Sequence, residues 1–151
     1  MIVFQKKGLK NTVNLKLIVG KNIFIRTISP GDVSLKYVSW LKNEAIMRYT
    51  EQNKKNHTLK TTVKFVEEKL KSKYDILFGI FLNHKHIGNV KLGPIDWAKQ
   101  EAQISFFIGE KNFWGQGKMF KVIQKLLSFA FKTLGLLEIK ARYYKKNLAS
   151  A

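Results

Sequence analysis

The chain has no cysteine, and among its 151 residues only 2 are proline and 10 are acidic. Without cysteine it cannot form disulfides, bind a metal through thiolates or use a cysteine nucleophile, while the redox compartment stays open. No apolar run approaches the roughly 18 residues of a membrane span. The N-terminus lacks the apolar block of a secretory signal, so a cytoplasmic protein with no membrane partner is the default expectation.

Acidic residues are scarce beside 28 lysines and arginines, which gives a formal net charge of +18. Such a charge attracts anions, including nucleic acid and polyphosphate cofactors. Arginine, which specific nucleic-acid readers favour, occurs only at Arg26, Arg48 and Arg142. The scattered lysines fit either a solvated surface or a polyanion-binding face, and a nucleic-acid partner is the less favoured reading.

Histidine is also rare, occurring at His57, His84 and His86. His84 and His86 flank a turn without a third ligand nearby, so we predict no metal site. No serine–histidine–acid arrangement stands out either.

The apolar patterns predict a mixed α/β fold with an antiparallel meander in the middle, and one domain over residues 1–151. Residues 1–12 are expected to be a flexible extension. Strands are predicted at 13–19, 22–28, 76–82, 86–92, 103–108 and 138–144, with Gly93-Pro94 ending the fourth. Helices are predicted to begin at the caps Ser29 and Thr58 and at Met119, and the last is stopped by Gly135. Their apolar faces are Val33, Tyr37, Trp40 and Leu41; then Leu59, Val63, Val66 and Leu70; then a stripe from Met119 to Leu134.

A glycine-bearing loop between the fifth strand and the last helix carries the functional argument. It reads Trp114-Gly115-Gln116-Gly117-Lys118-Met119-Phe120. Glycines at a helix N-terminus let a ligand approach the backbone, where free N–H groups and the helix dipole bind anions. A tight strand-to-helix turn would use the same glycines. The loop lacks the ending of a Walker loop and the third glycine of a dinucleotide fingerprint.

Preceded by Ile108-Gly109-Glu110-Lys111-Asn112-Phe113, this loop resembles the acetyl-CoA motif of the GNAT acyltransferases. It is most similar to the branch containing ribosomal-protein N-terminal acetyltransferases and amino-sugar N-acetyltransferases. Further agreements occur in order at 22–26, 40–43, 49–51, 87–95 and 147–150. The resemblance implies the acyl-CoA N-acyltransferase fold, a mostly antiparallel sheet flanked by helices, and acetyl transfer from acetyl-CoA to a primary amine by direct attack.

The resemblance also implies a cofactor site. The pyrophosphate would lie on the glycine loop, and the pantetheine arm would pair with the strand before it. The N–H of Ile108 would polarise the thioester oxygen, and Asn147 would bond the cofactor arm. The cofactor-binding residues implied are Phe106, Phe107, Ile108, Trp114, Gly115, Gln116, Gly117, Lys118, Met119, Phe120 and Asn147.

Four residues are candidates on the acceptor side. Glu51 would bind the ammonium or act as base, unless it is a solvated loop carboxylate. Asn89 would hydrogen-bond substrate or else face solvent. Asp96 and Trp97 would contact the acceptor, or form an ordinary loop with an anchoring tryptophan. The acceptor would be a small-molecule amine, such as an amino sugar, or a protein N-terminus, and the enzyme a monomer or homodimer that uses no metal.

The pattern of the family continues past Asn147-Leu148-Ala149-Ser150 with a helix carrying a tyrosine and a last strand, and the sequence stops at Ala151. We therefore expect these last elements to be missing and the chain to be weakly active. Two alternatives stay open: an inactive remnant that binds CoA, and a basic nucleic-acid-associated protein.

Overall fold

The computed structural model describes residues 15–47, 56–113, 115 and 117–141. Within them the strands are β1 (Lys16–Gly20), β2 (Ile23–Thr27), β3 (Ile76–Leu82), β4 (Lys85–Asp96), β5 (Glu101–Ile108) and β6 (Glu138–Ala141). The helices are α1 (Leu35–Lys42), α2 (Glu44–Met47), α3 (Leu59–Lys71) and α4 (Lys118–Lys132). The expected extension at 1–12 lies outside the described residues.

The six strands form one sheet in which spatial order follows chain order, from β1 to β6. Every neighbouring pair is antiparallel except β5 and β6, which run parallel because α4 crosses over between them. The predicted mixed α/β class with an antiparallel meander is confirmed. None of the described helices is long and apolar enough to cross a bilayer.

The sheet separates two apolar clusters. On one face α4 buries Val122, Leu126 and Ala130 against the sheet. On the other face α1 and α3 pack through Tyr37, Trp40 and Val66. Strand β3 is therefore covered on both sides, as its almost continuous apolar run predicts.

Ser29, the predicted cap, begins a short 3-10 turn, and the first α-helix starts later than predicted. A short 3-10 turn occupies Pro30–Asp32, and α1 begins only after Ser34, whose hydroxyl accepts from Tyr37 N at 3.1 Å. Asp32 accepts from Ser29 N at 2.9 Å, and it also binds Arg26 through both carboxylate oxygens, at 2.8 Å each. In α3 the predicted cap Thr58 is confirmed, but Leu59 is exposed, and Thr62 is buried instead.

Strand β4 does not end at Gly93-Pro94 as predicted. It continues to Asp96 across a register shift between Leu92 and Ile95. Proline lacks the N–H that a ladder needs, and a bulge is where a strand tolerates it. Gly93 has φ +149, a backbone conformation that residues other than glycine rarely adopt.

Candidate active site

The glycine loop lies between β5 and α4 and leaves an open cradle. Gly115 and Gly117 have φ +73 and +72, in the left-handed region that favours glycine. Among the residues that the structure describes, a β-carbon built on either glycine would meet no heavy atom within 4 Å. Both glycines therefore border open space. Gly117 is also the N-cap of the 15-residue helix α4, whose first-turn N–H groups have no acceptor within the helix. The arrangement suits an anion bound through backbone amides.

The side chains around the cradle are basic and aromatic. Lys118 Nζ lies 5.4 Å from the centroid of the Phe113 ring. Met119 is partly buried against the core, whereas Phe120 is 67% exposed. Helix α4 contains lysines and no acidic residue. Trp114 and Gln116 lie outside the described residues, so their predicted roles stay predictions.

The end of β5 directs alternate backbone groups to opposite edges. Gly109 N donates to Ile87 O of β4 at 2.7 Å. Because N–H groups alternate along an extended strand, those of Phe106 and Ile108 point toward the other edge, where β6 lies. The pairing of β5 with β6 covers Glu101 to Ile104 in the described residues. Phe106, Phe107 and Ile108 thus lie between this pairing and the glycine loop.

Helix α1 packs directly on this end of β5. Trp40 lies over Gly109 so closely that a β-carbon there would overlap the indole. Its ring centroid is 6.3 Å from that of Phe107. Lys36, one turn earlier on the helix, forms an ion pair with Glu110. These contacts are not visible in the sequence, where Trp40 fits the apolar face of an ordinary amphipathic helix.

A buried polar network lies beneath Trp40. The Nε2 atom of His86 is 2.7 Å from Oδ1 of Asn89, and the Asn89 side chain also acts on the Tyr37 hydroxyl, whose pKa it lowers. Burial raises the pKa of Tyr37 to about 12, although the bond from Asn89 opposes the shift. Burial also lowers the pKa of His86, again against the Asn89 bond. His86 is therefore neutral near pH 7.

Asn89 does not face solvent, because it is 3% exposed and lies within hydrogen-bond distance of His86, and its predicted substrate role stays a prediction. The reason lies in β4, where Phe81 pairs with His86 and Ile80 with Gly88. Ile87 is thus an extra residue, a bulge that brings His86 and Asn89 to one face. Simple alternation places residues three apart on opposite faces and hides the pair.

Asp96 and Trp97 lie at the opposite end of β5 from Ile108. Asp96 pairs with Glu101, which is seven residues or roughly 23 Å along the strand from Ile108. Asp96 accepts from Lys99 N at 3.0 Å, and Trp97 Nε1 donates to Lys73 O at 2.9 Å. Both line an open groove of about 960 Å³. They therefore do not join the residues around Ile108, and Trp97 anchors its loop.

Two further predicted residues, Glu51 and Asn147, lie outside the described residues. Within the described part of the chain, no three histidine, aspartate or glutamate side chains group as metal ligands.

The comparisons with known proteins agree with this geometry. The family model described as an acetyltransferase (GNAT) domain matches residues 22–151. The ribosomal L7/L12 α-N-protein acetyltransferase RimL, solved with coenzyme A, is 20% identical with a TM-score of 0.80, over 89% of this chain and 78% of RimL. A Salmonella typhimurium acetyltransferase that modifies the N-terminal serine of L7/L12 is 20% identical with a TM-score of 0.77, over 89% and 78% of the two chains.

Spermidine N-acetyltransferase from Vibrio cholerae, solved with CoA and spermine, is 19% identical with a TM-score of 0.74. The alignment covers 85% of this chain and 75% of that enzyme. No curated protein sequence matches the chain significantly. Likenesses at this level of identity establish the fold and leave the acceptor open.

Proposed function

Because the chain belongs to the GNAT acetyltransferase family, we propose that it transfers an acetyl group from acetyl-CoA to a primary amine. The observation that carries the proposal is the cradle at the start of α4. Two left-handed glycines face open space there, before a helix without acidic residues. That arrangement fits a polyphosphate bound through backbone amides.

The residues that would hold acetyl-CoA follow from this cradle. The backbone amides of Gly115, Gly117, Lys118, Met119 and Phe120 would bind the pyrophosphate. The β6-facing edge of Phe106 and Ile108 would pair with the pantetheine arm, with Phe107 between them turned toward β4. The resemblance alone adds three further residues to this proposed site: Trp114, Gln116 and Asn147.

When bound, acetyl-CoA supplies a thioester whose acetyl carbon the amine attacks, so that a C–N bond forms, the C–S bond breaks and CoA leaves as its thiol. The N–H of Ile108 would hold the thioester oxygen and stabilise negative charge there. Glu51 would take the proton that the acceptor ammonium must lose. Most of the remaining rate enhancement would come from positioning the two reactants.

The acceptor class is proposed from charge. A surface with a net charge of +18 repels a free polycation and attracts an amine that also carries negative charge. We therefore favour an acidic protein N-terminus or a nucleotide-linked amino sugar over a polyamine.

Calorimetry with CoA tests the site directly. Gly117→Val should abolish binding, because its side chain would occupy the space in front of the amides. Gly135→Ala is the matched control, since Gly135 has nearly the same φ, +71, but follows α4 at its other end. Undiminished binding by Gly117→Val would reject the site.

Thiol release from acetyl-CoA then tests the reaction. Candidate acceptors are an acidic N-terminal peptide, a nucleotide-linked amino sugar and spermidine. Release with the first or second supports the proposed acceptor class, and release with spermidine alone contradicts it. CoA binding without release from any amine indicates an inactive remnant.

A further inference from the structure

Phe120 has a large aromatic side chain that is exposed to solvent beside the proposed cofactor cradle. It lies in the first turn of α4 and is 67% exposed, although Met119 is partly buried and Val122 is fully buried. Among the described residues no ring or cation contact involves it. The apolar stripe of α4 packs on the sheet without using this residue.

The position of Phe120 on the helix relates it to the cradle. It follows Gly117 by three residues, so the two share one face of α4 about 4.5 Å apart along its axis. Gly117 borders open space on that face. The exposed ring therefore flanks the same open volume as the glycine amides.

The direction of the cofactor decides which part of it reaches the ring. The pantetheine arm would run from the cradle toward Ile108, along the edge of β5. The adenosine end must then leave the cradle on the other side, toward the exposed face of α4. That face carries Lys121 and Lys125, both exposed, and no carboxylate.

We propose that the Phe120 ring is the stacking surface for the purine base of acetyl-CoA, an inference that rests on the proposed function. An exposed aromatic ring offers a π-face to a flat base and needs no hydrogen bond to do so. The ring would strengthen binding of the adenosine part of the cofactor and would take no part in the chemistry at the thioester.

Calorimetry with three ligands tests this assignment. The ligands are CoA, dephospho-CoA, which keeps the base, and 4′-phosphopantetheine, which lacks the adenosine. Phe120→Ala should weaken CoA and dephospho-CoA binding by about fivefold or more and leave 4′-phosphopantetheine unchanged. Phe120→Trp should restore the affinity. The matched control is Phe131→Ala, which removes a ring that is 42% exposed in the last turn of the same helix and should change nothing.

Equal losses for all three ligands would overturn the assignment, because the ring would then support the loop rather than the base. Unchanged CoA affinity in Phe120→Ala would overturn it too, while the proposed function would stand as long as the wild-type chain binds CoA. Failure of the wild-type chain to bind CoA would overturn both.

Discussion

The indole of Trp40 lies against Gly109, so that a β-carbon on Gly109 would overlap the ring at Cγ, Cδ2 and Cε2. Gly109 directly follows Ile108, the residue proposed to hold the thioester oxygen. Helix α1 therefore fixes the end of β5 through this contact and the Lys36–Glu110 ion pair.

Gly109→Ala should destabilise the fold and lower acetyl transfer, because either Trp40 or the strand end must move. Overpacking of this kind costs about 1–3 kcal/mol, which corresponds to a melting temperature lower by about 3–10 °C. Gly31→Ala is the control, since its β-carbon would meet only Ser29 Oγ, at 3.9 Å. In a Trp40→Ala background the cost of Gly109→Ala should shrink, and equal costs in both backgrounds would contradict the contact.

Asn89→Ala should lower the free energy of unfolding by about 1–3 kcal/mol, because His86 and Tyr37 would lose a buried partner. Urea denaturation measures the loss, with Gln103→Ala on the neighbouring strand as control. Tyr37→Phe removes the hydroxyl that Asn89→Ala leaves without this partner. Tyr37→Phe should therefore lower the free energy of unfolding less in the Asn89→Ala background than in the wild type. A large rise in the KM for the amine without loss of stability would instead support the substrate role first predicted for Asn89.

The Arg26–Asp32 pair predicts a pH dependence. The hydrogen bond from Arg26 is the main cause that lowers the pKa of Asp32 from 3.8 to about 2. A carboxyl with a depressed pKa stabilises the fold above its unfolded pKa, and this stabilisation is lost as pH falls through the folded value. The difference in unfolding free energy between the wild type and Asp32→Asn should therefore shrink between about pH 4 and pH 2. An unchanged difference between pH 4 and pH 2 would contradict the contribution of this ion pair.

Glu51→Gln should lower turnover by about 10²-fold or more and keep CoA affinity, if Glu51 accepts the proton from the amine. Glu44→Gln, an exposed carboxylate of α2, is the control. Equal turnover of Glu51→Gln at saturating amine across the pH range would remove Glu51 from the mechanism.

Local patterns in the sequence predict most of the fold. The continuous apolar run of β3, the Thr58 cap and the stripe of α4 each reflect short-range physics, and the structure confirms all three. The predictions are wrong where a bulge interrupts the alternation of side chains along a strand. The bulge at Ile87 changes which side chains share a face, and the bulge at Gly93-Pro94 lets β4 continue.

The candidate site divides in the same way. The glycine loop is visible in the sequence because positive φ and open space demand glycine there. The contact of Trp40 with Gly109 cannot be predicted from the sequence, since it joins two residues far apart in the chain and depends on how α1 crosses the sheet. The position of Asp96 and Trp97 is not visible either, because the length of β4 decides which end of β5 they occupy, and residue type does not show that length.

The strand order has a consequence for how the chain acquires this structure. β1 and β2 close locally, and β3, β4 and β5 form a meander through two short turns, so each unit needs only short loops. Joining them requires β2 to pair with β3 across residues 28–75, and α4 must then carry β6 back to β5. Such non-local pairings form slowly. During synthesis the first hairpin therefore leaves the ribosome well before its partner strand. We expect pulse-labelled amides of the β3–β5 meander to gain protection from hydrogen exchange before those that bridge Ile25 to Ile80.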